Sequence, residues 1–567
     1  MSVVQLRPPT DDARDDAGPV TVLGHDAGTY YFLSADGQYR ELKAGRFVRP
    51  EILSLFAGQA DYLMANFPVH DKEGKNVVGW SLNGVAAHLI AQAHQAGIFS
   101  PGRSLRGPGV WRAGGGLVVH AGDALWLDGK WQPAGRRLGR EIFAATPPVD
   151  RPAAAPLTVA EGGQLLDVLG LWHWRQARHA PRLLLGWLGC AALAGALSWR
   201  PHLQLTAPPG AGKSTLFALL QGLLGSSCLT VSASTEAAIR QMLGPRAPAV
   251  LVDEIENDNP LRARPIYELA RLASTEGQAD VARGSAEGKA SSFPVRACFI
   301  FSSVLPPRLR PQDLARIMVL EFDGSPGGAD ESGEPVQLRV RREVERVRSL
   351  GPPLRRRMID DFPRLLRCVE VFEAAIAEGG ARARVADQVG VLLAAAYVLT
   401  ADGVPELADA AALVAEFALP DLVGHEDEGG VSACLNHLLT SEVTVEHHNG
   451  GSQRRALGEL LARAAPAPRN WAQQALKRCG LALVRDGYGV DWLAVANRHR
   501  GLDQVFRDTP WSGGVWATEL RRGGGARVSD KLGFGGVQSR ATLLPLAGLG
   551  LDQEAAGYDS IDGGDFE

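Results

Sequence analysis

The residues best suited to chemistry are a lysine and two hydroxyls placed directly behind a turn of glycines. Residues 203–215 read Leu-Gln-Leu-Thr-Ala-Pro-Pro-Gly-Ala-Gly-Lys-Ser-Thr. Backbone N–H groups around Pro209, Gly210, Ala211 and Gly212, with the positive end of a following helix, suit the oxygens of a triphosphate. Lys213 is placed to reach the β- and γ-phosphates of ATP. The Ser214 hydroxyl completes the shell of a Mg²⁺ ion, and Thr215 closes the loop. An apolar run, 249–252, ends in Asp253 and Glu254, 40 residues beyond Lys213. Asp253 fits a carboxylate that supports Mg²⁺ through its waters, and Glu254 a general base for an attacking water. A further apolar run, 297–301, closes on Ser302-Ser303. A hydroxyl there could hold the water or meet the γ-phosphate; Ser302 is the choice and Ser303 the near alternative. Arg316, before the run 317–322, is the candidate to stabilise transition-state charge at a neighbouring subunit's phosphate. Arg308 and Arg310 are its rivals, and an ion pair with Asp313 is the purely structural reading.

The elements that must position these groups are legible around them. A brief strand precedes the glycine turn, and Leu216, Phe217, Leu219, Leu220, Leu223 and Leu224 follow at helical spacing, with Gly225 as a stop. One departure from a phosphate-binding loop stands at its first position, where Ala207 replaces the usual Gly. The chain has 8 Lys against 51 Arg, so a Lys marks a place where a compact ammonium suits better than a planar fork. One of the eight, Lys289, lies with Arg283 in a Gly-containing stretch, 281–290, that reads as a loop gripping a phosphate backbone or as a plain surface turn.

The bulk properties limit what surrounds this centre. A chain of 567 residues implies several domains. Net charge is −4, so a nucleic-acid surface has to be a local patch or one built by assembling subunits. Six scattered cysteines without a C-x-x-C pair argue for a reducing compartment and against a zinc ribbon or disulfide framework. The acidic N-terminus is unlike a signal peptide, and a cytoplasmic location is expected. The uncharged run 183–199 is at the lower limit of a membrane span and contains Gly, Ala, Cys and Ser, so it reads as a buried helix beside the nucleotide domain. No membrane segment is expected.

The expected architecture is multidomain α/β with a P-loop core. Residues 1–18 are expected to be disordered, and 19–156 to form a β-rich domain with a helix at 83–97 and an Arg- and Pro-rich linker over 136–156. The ATPase domain and its preceding helices take 157–336, with 157–200 helical. A helical region follows at 337–425. Ten Arg against four acids over 339–367 read as a solvated helix face or a nucleic-acid contact. Residues 426–550 read helix, helix, hairpin with extra strands, the order of a winged helix. Gln473, Gln474, Lys477 and Arg478 lie on its second helix as candidate DNA contacts; a packing module is the alternative. Residues 551–567 carry six acids and no base and read as a disordered tail.

Taken together, 203–215, 249–254, 299–303 and 313–322 resemble the AAA+/superfamily 3-type ATPase half of phage and plasmid primase–helicases. Residues 234–241 and 384–390, and the 106–109, Trp111 and 118–123 segments, are similar to that group's arrangement. The resemblance implies an AAA+/ASCE-like core, a hexameric homo-oligomer, ATP hydrolysis at subunit interfaces and translocation on DNA, with a single strand in the pore. No primase module is present in the chain, so priming would need a separate polypeptide. The leading expectation is therefore a DNA motor of a mobile element. The alternative is an ATPase that remodels a protein partner or acts as a nucleotide switch. A small-molecule kinase fits poorly, because Glu254 suggests water activation.

Overall fold

The computed structural model describes residues 18–546 except 176–178, 233, 256–259, 276–292, 305–312, 314–315, 324–335, 380–382, 418–429, 447–451, 465–470 and 486–490. Both expected disordered ends, the 281–290 loop with Arg283 and Lys289, and Arg308 and Arg310 lie outside the described residues. The chain divides into two compact units, Met1–Arg308 with Ala315–Val423, and Leu309–Leu314 with Gly424–Glu567.

The first unit is mixed α/β around a five-stranded parallel sheet. Its strands are β1 (His202–Thr206), β2 (Cys228–Ser232), β3 (Ala249–Asp253), β4 (Cys298–Ser303) and β5 (Ile317–Glu321), in the spatial order β2-β3-β4-β1-β5. Every residue of β1 and β4 is buried, as a parallel sheet covered on both faces requires. The central strand β1 pairs with β4 from Leu203↔Ile300 to Thr206↔Ser303, and with β5 from His202↔Ile317 to Thr206↔Glu321. One edge of the sheet therefore collects Thr206, Ser303, Asp253 and Glu321.

The helices of this part are α1 (Val159–Leu169), α2 (Ala180–Ala192), α3 (Lys213–Leu224), α4 (Glu236–Leu243), α5 (Pro260–Ala273), α6 (Val336–Val347), α7 (Gly351–Asp360), α8 (Phe362–Glu378) and α9 (Ala383–Thr400), of which α2, α3 and α5 pack on the sheet. The region 157–200 is not continuously helical, because Gly170 ends α1 and a Trp-rich segment intervenes before α2. Eleven of the 13 residues of α2 are buried, which makes it a core helix apolar all round. Among the described residues no helix is long and apolar enough to cross a membrane. The approach of α9 to α2 depends on Gly186, where a Cβ would stand 2.0 Å from Leu392 O.

The arginine-dense stretch is in part the solvated helix face expected of it, with Arg339, Arg341, Arg342, Arg346, Arg348 and Arg367 exposed, and in part a buried brace. Arg355 is buried and donates to Leu224 O at the end of α3 (2.6 Å). Arg357, also buried, donates to Leu157 O (3.0 Å), Val398 O (2.6 Å) and Ala401 O (2.9 Å). Arg364 reaches Val398 O, Ala401 O and Gly403 O. The last carbonyls of a helix lack intrahelical partners and carry partial negative charge. These guanidiniums satisfy them and lock α7 and α8 to α3 and α9.

Upstream, Thr21–Asp26, Thr29–Leu33 and Tyr39–Lys43 form an antiparallel sheet covered by the helix Leu82–Ala96, with two shorter helices at Arg49–Leu55 and Ala60–Asn66. A four-stranded sheet over Gly109–Pro133 follows. The expected linker is instead partly built into the fold. Arg136–Leu138 and Glu141–Phe143 pair with each other, and the latter pairs in parallel with Leu105–Arg106. Ile142 and Phe143 are buried, and such burial explains why Arg and Pro content alone misread the segment. Gly107 N donates to Pro245 O, and Ala247 N to Pro108 O, tying these strands to the loop between α4 and β3.

The second unit opens with the helix Val431–Thr440 and the hairpin Glu442–Glu446/Ser452–Ala456. The helices Leu457–Ala464 and Trp471–Cys479 follow, then the hairpin Leu481–Arg485/Asp491–Ala496. Val537–Pro545 and Arg527–Phe534 extend that hairpin to four strands.

Two buried histidines hold strand geometry in the first unit. His202 accepts from Phe299 N on Nδ1 (3.0 Å) and faces Ala270 O with Nε2 (2.6 Å). It thereby clamps β1 to β4 and α5, and burial lowers its pKa to about 3. His120 is held between Ala144 O and Gly122 N, with a pKa lowered to about 4 by burial. A depressed histidine pKa means that the unfolded chain binds the extra proton, so stability is complete above the unfolded value near 6.5 and falls as pH drops toward the folded value. Between pH 7 and 5 each ring should cost the wild type about 2 kcal/mol. His202→Ala should lower the first urea transition by about 3 kcal/mol at pH 7, from a cavity and two orphaned backbone groups, and by about 1 kcal/mol at pH 5. Equal losses at the two pH values would remove this account.

Candidate active site

The geometry of the glycine turn is set where β1 leaves the sheet and α3 begins. Gly210 (φ 80°) and Gly212 (φ 89°) occupy the left-handed region, which L side chains enter at a cost. A Cβ on Gly210 would meet nothing within 4 Å, so the glycine serves backbone conformation and leaves the cradle open. Gly212 is the N-cap of α3 and supplies no side-chain cap. The N–H groups of the first turn thus keep the donor character that binds anions. Pro209, Gly210 and Ser214 are exposed, Gly212, Lys213 and Thr215 half-buried, and Ala211 buried. Ala207 has no positive φ, so its position needs no glycine, and its N–H donates to Ser303 O (3.3 Å).

Lys213 and the acidic strand meet through β4, which lies between them. Lys213 Nζ donates to Ala207 O (2.9 Å) and Ser303 O (3.0 Å). On the same strand end, Ser302 Oγ donates to Asp253 Oδ1 (2.6 Å), and Ile255 N donates to Ser302 O (2.9 Å). The two candidate serines point to opposite uses. The Ser303 hydroxyl accepts from Gln204 Nε2 (3.0 Å), and Gln204 Oε1 accepts from Tyr267 OH (2.9 Å), in a buried network beneath the sheet edge. Of the two, the Ser302 hydroxyl is the one bonded to Asp253.

Glu254 is exposed and adopts φ 55°, a conformation uncommon for a non-glycine residue and concentrated at functional sites. Its N–H donates to Asp253 Oδ1 (3.1 Å), so that one oxygen receives both this N–H and the Ser302 hydroxyl. The backbone turn separates the directions of adjacent carboxylates, one held at the strand end and one open to solvent. The donor set therefore fits ATP with Mg²⁺: a hydroxyl and a carboxylate for the cation, an ammonium and uncapped N–H groups for the phosphates.

Arg316 lies at the other edge of the sheet. It occupies the turn before β5, whose first residue, Ile317, pairs with His202 at the start of β1. Lys213 follows the opposite end of β1, and a five-residue strand spans about 13 Å. Arg316 and the chain's own glycine turn are thus on opposite sides of the sheet.

Trp172 was not visible as a site residue in the sequence. It is buried, and its Nε1 donates to Gly212 O (3.3 Å), bracing the turn that precedes Lys213. The neighbouring segment is fixed to the end of β5 by Arg175 with Glu321 (2.9 Å) and Asp323 (3.1 Å). The only sequence cue is a Trp-His-Trp cluster between two helices. Of the candidate DNA contacts in the second unit, Gln474, Lys477 and Arg478 are exposed. Gln473 is half-buried and donates to Ala464 O (3.3 Å), which turns it toward helix packing.

Comparison with known proteins gives low-level structural likenesses. An A-form apo structure of the NrS-1 C-terminal region is 12% identical, with a TM-score of 0.30, covering 77% of this chain and 96% of that one. A second apo structure of that region is 11% identical at a TM-score of 0.31, with the same coverage. A candidate ATPase from Cytophaga hutchinsonii is 14% identical at a TM-score of 0.26, covering 45% of this chain and 85% of that one. No family model and no curated protein matches the chain.

Proposed function

We propose that the chain is an ATP-hydrolysing ring motor acting on DNA, a replicative helicase of a phage, plasmid or other mobile element. The observation that carries the hydrolytic part is the bridge made by β4. One end of that strand receives the Lys213 ammonium on a carbonyl and gives the Ser302 hydroxyl to Asp253. Ser214 and Asp253 would hold Mg²⁺, which supplies charge neutralisation at the phosphates. Lys213 leaves its two carbonyls for the β- and γ-oxygens. Glu254 takes the proton of the attacking water, and Ser302 keeps Asp253 in place beside it. Arg316 serves a neighbouring copy's nucleotide, consistent with its place on the far side of the sheet. The family resemblance in 203–322 supports DNA as the track, with the 281–290 stretch, including Arg283 and Lys289, as the grip on a single strand.

The discriminating experiment is an ATPase assay with and without single-stranded DNA, alongside a mass measurement. A severalfold stimulation that fades steeply with salt is expected. Turnover indifferent to DNA and raised by a protein partner would favour a remodelling ATPase instead. Lys213→Ala should weaken ATP binding by about 100-fold or more, while Glu254→Gln should bind normally and lose about 10²- to 10⁴-fold in turnover. Normal turnover in Glu254→Gln would sink the assigned base. Arg316→Ala should lose about 10³-fold in kcat, yet mixed with Lys213→Ala it should regain activity at interfaces pairing one intact loop with one intact arginine. Unimpaired hydrolysis by Arg316→Ala alone would remove it from the site.

A further inference from the structure

The second unit brings cations from three separate segments to one junction. The helix Trp471–Cys479 ends in Lys477 and Arg478, and Gly480 turns the chain (φ 91°). A Cβ on Gly480 would stand 2.8 Å from His499 Cγ, so the 498–500 loop lies directly against the helix end. The turn after Phe534 meets the same place. A Cβ on Gly535 would be 3.2 Å from both Arg478 Cα and Lys477 O, and the His499 and Phe534 rings are 6.4 Å apart. Arg498 N donates to Ser539 Oγ (3.2 Å), and Asn497 N to Arg540 O (2.8 Å). Lys477, Arg478, Arg498, Arg500 and Arg540 are all exposed at or beside this junction.

Several other cations of the unit are matched, although Arg507, Arg521 and Lys531 share with these the lack of an ion pair among the described residues. Arg454, Arg463, Arg485 and Arg522 are matched with Glu442, Glu459, Asp491 and Glu519, and Arg527 lies over Trp492. Arg455 pairs with Glu459 and stands 6.0 Å from the Trp471 ring. Among the described residues, Lys477, Arg498, Arg500 and Arg540 take part in no ion pair. Between 430 and 546 the sequence has 15 Arg and Lys against 9 Asp and Glu, in a chain whose net charge is −4. Asp503, beyond Arg500, is the carboxylate that His499 senses. Two cations at a helix C-terminus can be explained by its dipole. Arg498, Arg500 and Arg540 are on other elements and need another reason.

We propose that this junction binds the phosphate backbone of double-stranded DNA, as a site on the second unit separate from the ATP-driven track. Unmatched guanidinium and ammonium groups held by packed backbone suit a rigid polyanion. A single-strand site usually adds aromatic faces for bases, whereas Phe534 is fully buried here and Trp471, at the other end of its helix, is paired with Arg455. The site does not depend on ATP hydrolysis, so its failure and that of the motor reading are separable.

The test is fluorescence anisotropy of the full chain with a labelled duplex and a single strand of equal length, without nucleotide, across a salt series. The combined variant Lys477→Ala, Arg498→Ala, Arg500→Ala, Arg540→Ala should weaken duplex binding by at least about 100-fold and flatten the salt slope by about three to four. Its melting temperature and DNA-independent ATPase should be unchanged. Lysine at the three arginine positions should restore most of the affinity. Removing matched cations, Arg454→Ala with Arg485→Ala, should change it less than about threefold. Duplex affinity of the combined variant within threefold of wild type would overturn the site. Equal loss in the fourfold variant and in the matched-cation pair would do the same, as would a single strand bound more tightly through these residues than the duplex.

Discussion

The parallel pairing of β1 with β4 is the constraint on which the site depends. The register that sets Thr206 beside Ser303 brings a carbonyl of β4 to Lys213, and the pairing of β4 with β3 on its other side brings a hydroxyl of β4 to Asp253. A one-residue slip would exchange the faces of Ser302 and Ser303, because strand side chains alternate. Asp253 would then lose its hydroxyl donor, and a hydroxyl now tied to Gln204 would face the site. The register is held from below by groups that cannot act on a nucleotide. His202 joins Phe299 N to Ala270 O, Trp187 Nε1 donates to Phe299 O (3.2 Å), and Gln204 and Tyr267 fill the layer next to them. A fully satisfied buried polar network is costly to rearrange, so these side chains give the hydroxyl and the ammonium one relative position.

Much of the candidate site was legible because its chemistry is local. Gly210, Gly212 and Lys213 are adjacent in sequence, and a glycine turn before a helix is its own signal. Asp253 was equally plain at the end of an apolar run. What escaped was whatever depends on partners distant in sequence. Choosing between Ser302 and Ser303 requires knowing which neighbour each strand face meets, and Gln204 and Tyr267 are 63 residues apart. The positive φ of Glu254 has no sequence mark, since glutamate rarely adopts it. Trp172 acts on a carbonyl 40 residues away. The parallel core was thus predictable from its strands, but the linker over 136–156 was not, because Ile142 and Phe143 outweigh the composition around them.

Arginine is the residue whose role composition conveys least. Ten in 339–367 raised the thought of nucleic acid, yet Arg355, Arg357 and Arg364 are spent on helix-end carbonyls and three others are matched to carboxylates one turn away. A guanidinium suits this because it offers five donors in a plane and stays charged when desolvated. Counting charges along the sequence therefore overstates the cation available to a polyanion. The useful quantity is the charge left over after internal acceptors are satisfied.

Strand polarity gives the last connection between fold and mechanism. In a sheet whose strands all run the same way, loops leaving the strands gather on one edge and loops entering them on the other. The phosphate loop, Asp253 and Ser302 belong to the leaving edge, as is general for ligands of open parallel sheets. Arg316 belongs to the entering edge because it precedes β5, and no side-chain rotation crosses a strand of about 13 Å. The carboxylates and the lysine can organise a metal, a phosphate and a water within one chain. In the proposed ring, the positive charge that would answer the growing negative charge of the transition state would have to come from an adjacent copy. An arginine so placed would make hydrolysis conditional on assembly and would let neighbouring subunits fire in relation to one another.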